Sequence, residues 1–221
     1  MPKFISYKEA AAQVKDGMTV MIGGFLGCGN PHGIIEELIN RGVKDLTVIA
    51  NDSPRTGHGL ARLIDNKQVK RLIASHVGLN QNVADQMNAG ELEVLLVPQG
   101  ALAEMVRAGG GGLGGIITTT GLGTPVEESP LVHSKITIDG KEYLVMKPLH
   151  ADVALINGHK VDRNGNIWYK GTTRNFNNLM ATSADTVICE ADHVVEVGDI
   201  EPENVVTAGI FVDYIVEGGN G

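Results

Sequence analysis

Short apolar runs bounded by glycine alternate, through the first half of the chain, with stretches in which apolar residues recur every three or four positions. Residues 18–22, MTVMI, form the first such run, and the glycines on either side mark a buried strand. Over 31–41, Ile34, Ile35, Leu38 and Ile39 share one helical face, and Gly42 supplies the stop. The same alternation predicts strands at 46–50, 69–74 and 92–97 and helices at 59–66, 82–89 and 101–108. An N-terminal helix starts at Ser6, with Glu9 three residues on completing a capping box, and Asp16-Gly17 ends it. Strands and helices taking turns in short units predict an α/β fold. Its core is a doubly wound, mostly parallel sheet with helices on both faces, and ligands bind at the carboxyl ends of the strands.

The rhythm breaks over 109–133, which is too rich in glycine for a helix and too long for an idle connection. Residues 135–138 and 142–145 then flank Asp139-Gly140, which predicts a small antiparallel hairpin insertion around 134–147. A core strand at 152–157, a second hairpin at 161–169 around Asn164-Gly165, a helix near 176–183 and strands at 186–189 and 210–216 complete the reading. No linker divides the chain, so residues 1–221 read as one domain.

Composition narrows the function classes. Glycine is abundant, 29 of 221 residues, and 13 of the 29 fall in two segments, 23–33 and 109–123. Both segments are expected near the carboxyl ends of the strands. The net charge of −8 argues against a binder of nucleic acid, which needs a basic face. Beyond Arg174 there are nine acids and no Lys or Arg, which leaves the first 174 residues at about +1. Either an anionic ligand sits on the N-terminal side, or the acidic stretch is only a solvated face. Cys28 and Cys189 make no disulfide framework, and no spaced His/Cys set suggests a metal. No run reaches the ~18 apolar residues of a membrane span, and no signal segment is present, so a cytoplasmic protein without membrane contact is expected.

The sharpest local feature is DGMTVMIGGFLGCGNP, residues 16–31. It reads as strand, glycine turn and helix N-terminus, with Asn30 as N-cap and Pro31 at the first helical position. That arrangement aims free N–H groups at an anion or a developing oxyanion. The spacing of Gly27, Gly29 and Gly33 is not that of a dinucleotide site, and no Gly-Lys-Ser/Thr follows, which excludes a nucleotide P-loop.

These sixteen residues resemble the N-terminal signature of the family I coenzyme A transferases. AND at 50–52, VPQG at 97–100, RAGGGGLGG at 107–115, TGLGT at 120–124, ADVALI at 151–156 and YKGTTRNFN at 169–177 read like the alpha subunit of the same family, so the resemblance covers nearly the whole chain. It implies a short-chain acyl-CoA:carboxylate CoA-transferase. CoA moves between a thioester and a free carboxylate (acetate, butyrate, acetoacetate or succinate) through an acyl-glutamyl anhydride and a glutamyl-CoA intermediate. The glutamate belongs to an S-E-N-G motif of the beta subunit. This chain has no such motif, so no catalytic nucleophile is expected in it, and a beta subunit partner is, as an alpha2beta2 assembly. The resemblance implies no tightly bound cofactor, coenzyme A thioesters and small carboxylic acids being substrates.

By the same resemblance Gly23, Gly24, Phe25, Leu26, Gly27, Cys28 and Gly29 lie against the acyl or CoA thioester end. Gln99 faces the substrate carboxylate and Asn51 is its matching amide, while Asp52 departs from the second amide that some members carry. Read without the family, Cys28 is a small buried thiol, Glu127-Glu128 is surface, and Trp168 is a core or interface anchor. Arg107, Lys170 and Arg174 are cations for CoA phosphates or exposed structural groups. The alternatives within the fold are a sugar-phosphate isomerase-like enzyme, with 118–124 as its phosphate grip, and a non-catalytic ligand-binding subunit.

Overall fold

The computed structural model describes residues 1–218; the last three residues of the expected 1–221 domain lie outside them. The first half alternates as expected: β1 (Lys3–Phe4), α1 (Tyr7–Gln13), β2 (Thr19–Ile22), α2 (His32–Arg41), β3 (Leu46–Ile49), α3 (Ala61–Asp65), β4 (Val69–Ala74), α4 (Gln81–Asn88), β5 (Glu93–Leu96) and α5 (Gln99–Gly110). The Ser6–Glu9 capping box opens α1, and Gly42 closes α2 at φ +66°, a left-handed position that glycine adopts without strain. The second half holds β6 (Ile116–Thr118), β7 (Val132–Ile138), β8 (Lys141–Met146), β9 (Ala151–Asp162), β10 (Ile167–Trp168), α6 (Asn177–Met180), β11 (Ala184–Val195) and β12 (Tyr214–Glu217).

The main sheet runs β1-β12-β11-β9-β2-β3-β4-β5, all parallel, with β10 antiparallel on the end of β9; β6-β8-β7 form a small antiparallel sheet. After the edge strand β1 the chain crosses to the middle at β2, winds outward to β5, then returns to β9 and winds the other way. The boundary between β2 and β9 is thus the topological switch point, where a crevice opens at the carboxyl edge. The period of two along β2 sorts the core. Val20 and Ile22 pack with Ile34, Ile35 and Leu38 of α2, whereas Met21 packs with Leu102 and Met105 of α5 and with Leu144 and Met146 of β8. Helices therefore cover both faces.

Several boundaries differ from the sequence reading. β9 and β11 are each twelve residues long, twice or more the predicted length, because Asn157 and Glu190, which look like strand ends, pair with each other and the ladder runs on past Asp192 to His193–Lys160 and beyond. The helices read at 59–66 and 176–183 shrink to α3 and α6; Gly57 and Gly59 take positive φ and form a turn instead. The strand read at 210–216 begins only at Tyr214, after a 3-10 turn at Gly209–Phe211, and the two-residue β1 has no counterpart in the sequence reading. Both hairpins stand, with Asp139 and Gly140 at φ +49° and +76°.

The second glycine segment is not simply at the carboxyl edge. Helix α5 runs on through Gly109 and Gly110 to the opposite end of the sheet. There a Cβ on Gly109 would strike the Leu149 carbonyl, and one on Gly110 would strike Thr182. Strand β6 then carries the chain back, so Thr118 and Thr120 line a groove with Gly100 at the start of α5. Those first glycines allow close helix packing, and only the later part of the segment returns to the crevice. Among the described residues no helix is long and apolar enough to cross a membrane.

Candidate functional site

The glycine turn leaves β2 at the switch point, where the Gly23 N–H donates to the Leu155 carbonyl of β9 at 3.0 Å. Its remaining N–H groups are mostly spent inside the protein. Gly24 donates to Asn175 Oδ1 at 3.1 Å, Leu26 to the Asp52 carboxylate at 2.9 Å, and Phe25 and Cys28 bond each other's carbonyls at 3.0 and 2.9 Å. Among the described residues, only the Gly27 and Gly29 N–H groups of residues 23–29 donate to no protein group. Gly24, Leu26, Gly27 and Gly29 all have positive φ, from +50° to +130°, which folds the segment into a tight turn and leaves those two without a protein acceptor. The oxyanion donors expected across the whole turn therefore reduce to this pair.

Phe25 and Leu26 stand 42% and 46% exposed beside the pair, so neither is core. Cys28 is also exposed, not buried, with its Sγ 3.3 Å from Thr172 Oγ1. The turn is a protruding loop with its backbone bonds inside, which forces the side chain outward. Cys189 is fully buried and burial pushes its thiol up. In the folded protein iodoacetamide should label Cys28 and leave Cys189 unmodified, as read by peptide mass mapping; equal labelling would place the turn elsewhere.

The start of α2 differs from expectation. Pro31 occupies the N-cap position with no side-chain cap, and Asn30 points the other way, donating from Nδ2 to the Gly23 carbonyl and accepting the Leu60 N–H at 3.1 Å. The helix N-terminus is not open to a ligand. Glu190 Oε1 and Oε2 accept the N–H groups of Gly33 and Ile34 at 3.1 and 2.9 Å. A buried carboxylate is the anion that the helix dipole attracts, and it comes from the protein itself. The acidic stretch beyond Arg174 is thus partly structural: Asp192 holds His159 and Asn157, Asp213 accepts the Val187 N–H, and Glu196 pairs with Arg163.

On the other side of the crevice, Asn51 and Asp52 follow β3. Asn51 is 1% exposed, and its Oδ1 accepts from Gln99 Nε2 at 2.7 Å, so Gln99, exposed at the first turn of α5, is the member of the pair that can meet a ligand. Ser75 steadies Asn51 by donating to its carbonyl at 2.7 Å. Burial raises the Asp52 carboxyl above its ordinary value, against the Leu26 N–H and Asn51 amide that lower it. Asp52 therefore holds the turn and does not present itself to a carboxylate substrate.

Sequence reasoning missed the third wall. Asn175 donates from Nδ2 to the Cys28 carbonyl at 3.1 Å, and Asn177 donates to the Gly29 carbonyl at 3.0 Å while its Oδ1 accepts the Asn157 N–H. The only signal was the RNFN string itself, whose amides could as well have served a local turn. Lys170 and Arg174 lie in the same segment, exposed and without an ion pair among the described residues. Two hollows open, one at the turn and one between α5 and β6. One of about 320 Å³ is lined by Leu26, Arg55, His58 and Leu79. The other, of about 460 Å³, runs from Gly100 past Arg107 to Thr118 and Thr120, with Arg107 paired to Glu104 at 2.7 Å. Glu127 pairs with Lys135 on the small sheet and lines neither hollow, and Trp168 packs against His159 at the end of β9. Among the described residues no group of His, Cys, Asp or Glu could hold a metal ion.

The family description of Coenzyme A transferase matches residues 4–218. The chain belongs to the coenzyme A transferase family. Over 215 residues, 97% of both chains, this CoA-transferase is 50% identical to the acetoacetyl-CoA:acetate/butyrate CoA transferase alpha subunit of Clostridium acetobutylicum. It is 45% identical to the alpha subunit of the acetate CoA-transferase of Escherichia coli, covering 97% of this chain and 96% of that one. One subunit of the probable succinyl-CoA:3-ketoacid coenzyme A transferase of Bacillus subtilis shares 42%, over 97% and 89%. Among solved structures, glutaconate coenzyme A-transferase from Acidaminococcus fermentans superposes with a TM-score of 0.83 at 21% identity, covering 97% of this chain and 75% of that one. An acyl-CoA transferase from E. coli, solved as a thioester complex with CoA, gives 0.88 at 21% identity, covering 98% of this chain and 47% of that one. The expected α/β architecture of the CoA-transferases is thereby present in full.

Proposed function

We propose that this CoA-transferase chain is the alpha subunit of a short-chain enzyme that moves CoA between a thioester and a free carboxylate of the acetate, butyrate, acetoacetate or succinate class, completed by a beta subunit. The observation that carries the reading is a site of amides and two unspent backbone N–H groups whose carboxylates are already engaged. Asp52 accepts from Leu26, and Glu190 accepts from Gly33 and Ile34, so neither is free to attack a thioester. The carboxylate nucleophile of the scheme then comes from outside, in keeping with relatives named as alpha subunits.

In this reading the partner's carboxylate attacks the thioester carbonyl carbon, the C–S bond breaks and CoA leaves as thiolate. The thiolate attacks the resulting anhydride at the partner's acyl carbon, releasing the first acid. An acceptor carboxylate then takes the CoA thioester apart by the same two steps in reverse. The Gly27 and Gly29 N–H groups stabilise the oxyanion of each addition, a role typically worth ~10²–10³ in rate per donor. Gln99, held by Asn51, donates to the carboxylate of acid or acceptor. CoA is a substrate, and the scheme uses no tightly bound cofactor or metal.

The test is to purify the chain, first by itself and then together with its beta subunit, for assay of acetyl-CoA with butyrate or acetoacetate. Transfer should require both subunits. Full activity from the lone chain would sink the two-subunit reading.

A further inference from the structure

We propose that Asn175 is a positioning residue for CoA transfer, a single amide that sets the shape of the glycine turn and so the direction of its two free N–H groups. The inference rests on the reading that Gly27 and Gly29 face the reacting thioester.

The turn has two limbs, and one side chain from outside it hydrogen-bonds to both. Asn175 Oδ1 accepts the N–H of Gly24 on the outgoing limb, and its Nδ2 donates to the carbonyl of Cys28 on the returning limb, each at 3.1 Å. The amide is itself fixed: Oδ1 also accepts the Phe176 N–H at 2.6 Å and Nδ2 also donates to the Thr172 carbonyl at 2.7 Å. All four bonds use the distinct acceptor and donor ends of an amide, so no other side chain of this size reproduces them. Between the clamped residues lie Leu26, tied to Asp52, and Gly27, which has open space around it and no bond holding its N–H. Gly27 is therefore oriented through its neighbours and through its carbonyl, which accepts the Asn30 N–H at 3.3 Å. Asn177 fixes the base of the same limb by donating to the Gly29 carbonyl and packs against Gly23, but it makes no hydrogen bond to the outgoing limb.

A clamp of this kind acts on rate more than on binding, because the donors must meet an oxygen that carries full charge only in the transition state. The experiment uses the assembled two-subunit enzyme with Asn175→Ala and Asn175→Asp. The aspartate keeps the acceptor toward Gly24 but sets a carboxylate oxygen against the carbonyls of Cys28 and Thr172. Both variants should lower kcat about 30-fold or more, with KM for the acyl-CoA changed less than about threefold. Hydrogen exchange should quicken severalfold over residues 24–28 and stay unchanged over Thr19–Ile22.

A fall in kcat accompanied by faster exchange throughout β2 would make Asn175 an ordinary folding residue and overturn the inference. So would quicker exchange in the turn at unchanged kcat, or a wild-type kcat in Asn175→Asp. Failure of the underlying reading looks different: the wild-type assembly would itself transfer no CoA.

Discussion

Gly24→Val should lower kcat/KM for CoA transfer at least about 100-fold while the chain still assembles with its partner. Gly24 sits at φ +130°, where a β-branched side chain is strained by ~1–3 kcal/mol. Its added carbon would also fall on the Asn30 side chain. Asn30 cannot step aside cheaply, since it is buried and spans the Gly23 carbonyl and the Leu60 N–H. The turn must move instead, and a displacement of about 1 Å at a reacting centre costs ~10²-fold. Gly27→Ala is the comparison. Gly27 has the same sign of φ, +88°, but nothing near its missing carbon, so only backbone strain remains and a loss of about tenfold is expected. Steady-state kinetics on both assemblies decide the matter. Unchanged kinetics in Gly24→Val would make the turn a connection and nothing more.

Glu190→Gln should lower the Tm by roughly 3–10 °C. The wild-type carboxylate gives one oxygen to each of two helix N–H groups, whereas an amide offers one oxygen and turns an NH2 against the other donor. An N–H left buried without an acceptor costs about 1–3 kcal/mol. The two proteins should also differ in pH dependence. Burial holds the Glu190 carboxyl above its ordinary value of 4.5, more than the two N–H groups lower it. The folded chain then binds this proton more readily than the unfolded one. The contribution is complete below about pH 4.5 and is lost as pH rises through the folded value. Wild type should therefore lose stability with rising pH just above 4.5, by a component that Glu190→Gln lacks. Asp52, likewise raised by burial, contributes with the same sign in both proteins. Thermal unfolding across this window checks both claims, and identical slopes would mean that Glu190 is not the titrating group.

Much of the frame was legible because its signals are local. A hydroxyl and a carboxylate three residues apart cap α1, Asp139-Gly140 turns the hairpin, and Gly42 ends α2, all through groups within a few positions of one another. The glycine turn and Gln99 were legible through the family resemblance. The strand lengths were not, because Asn157, Glu190 and Asp192 are polar residues inside strands, and polarity alone reads as an exit from the sheet. Asn30 was misread for a related reason. Asparagine before Pro is an excellent helix start by local chemistry, but the buried Gly23 carbonyl and Leu60 N–H outcompete the helix for its amide.

The sequence by itself determined the alternation of strand and helix, the place of the turn after β2 and, by resemblance, the family. Only the tertiary structure decided which groups of the turn can meet a substrate. Gly24 is bonded to a residue 151 positions away, Leu26 to one 26 away, and the helix behind them to a carboxylate more than 150 positions on. An N–H group is a donor wherever it stands in the chain. Whether it is spent within the fold or left for a thioester oxygen depends on acceptors brought up by β3, β11 and the segment before α6, and no local pattern records their arrival.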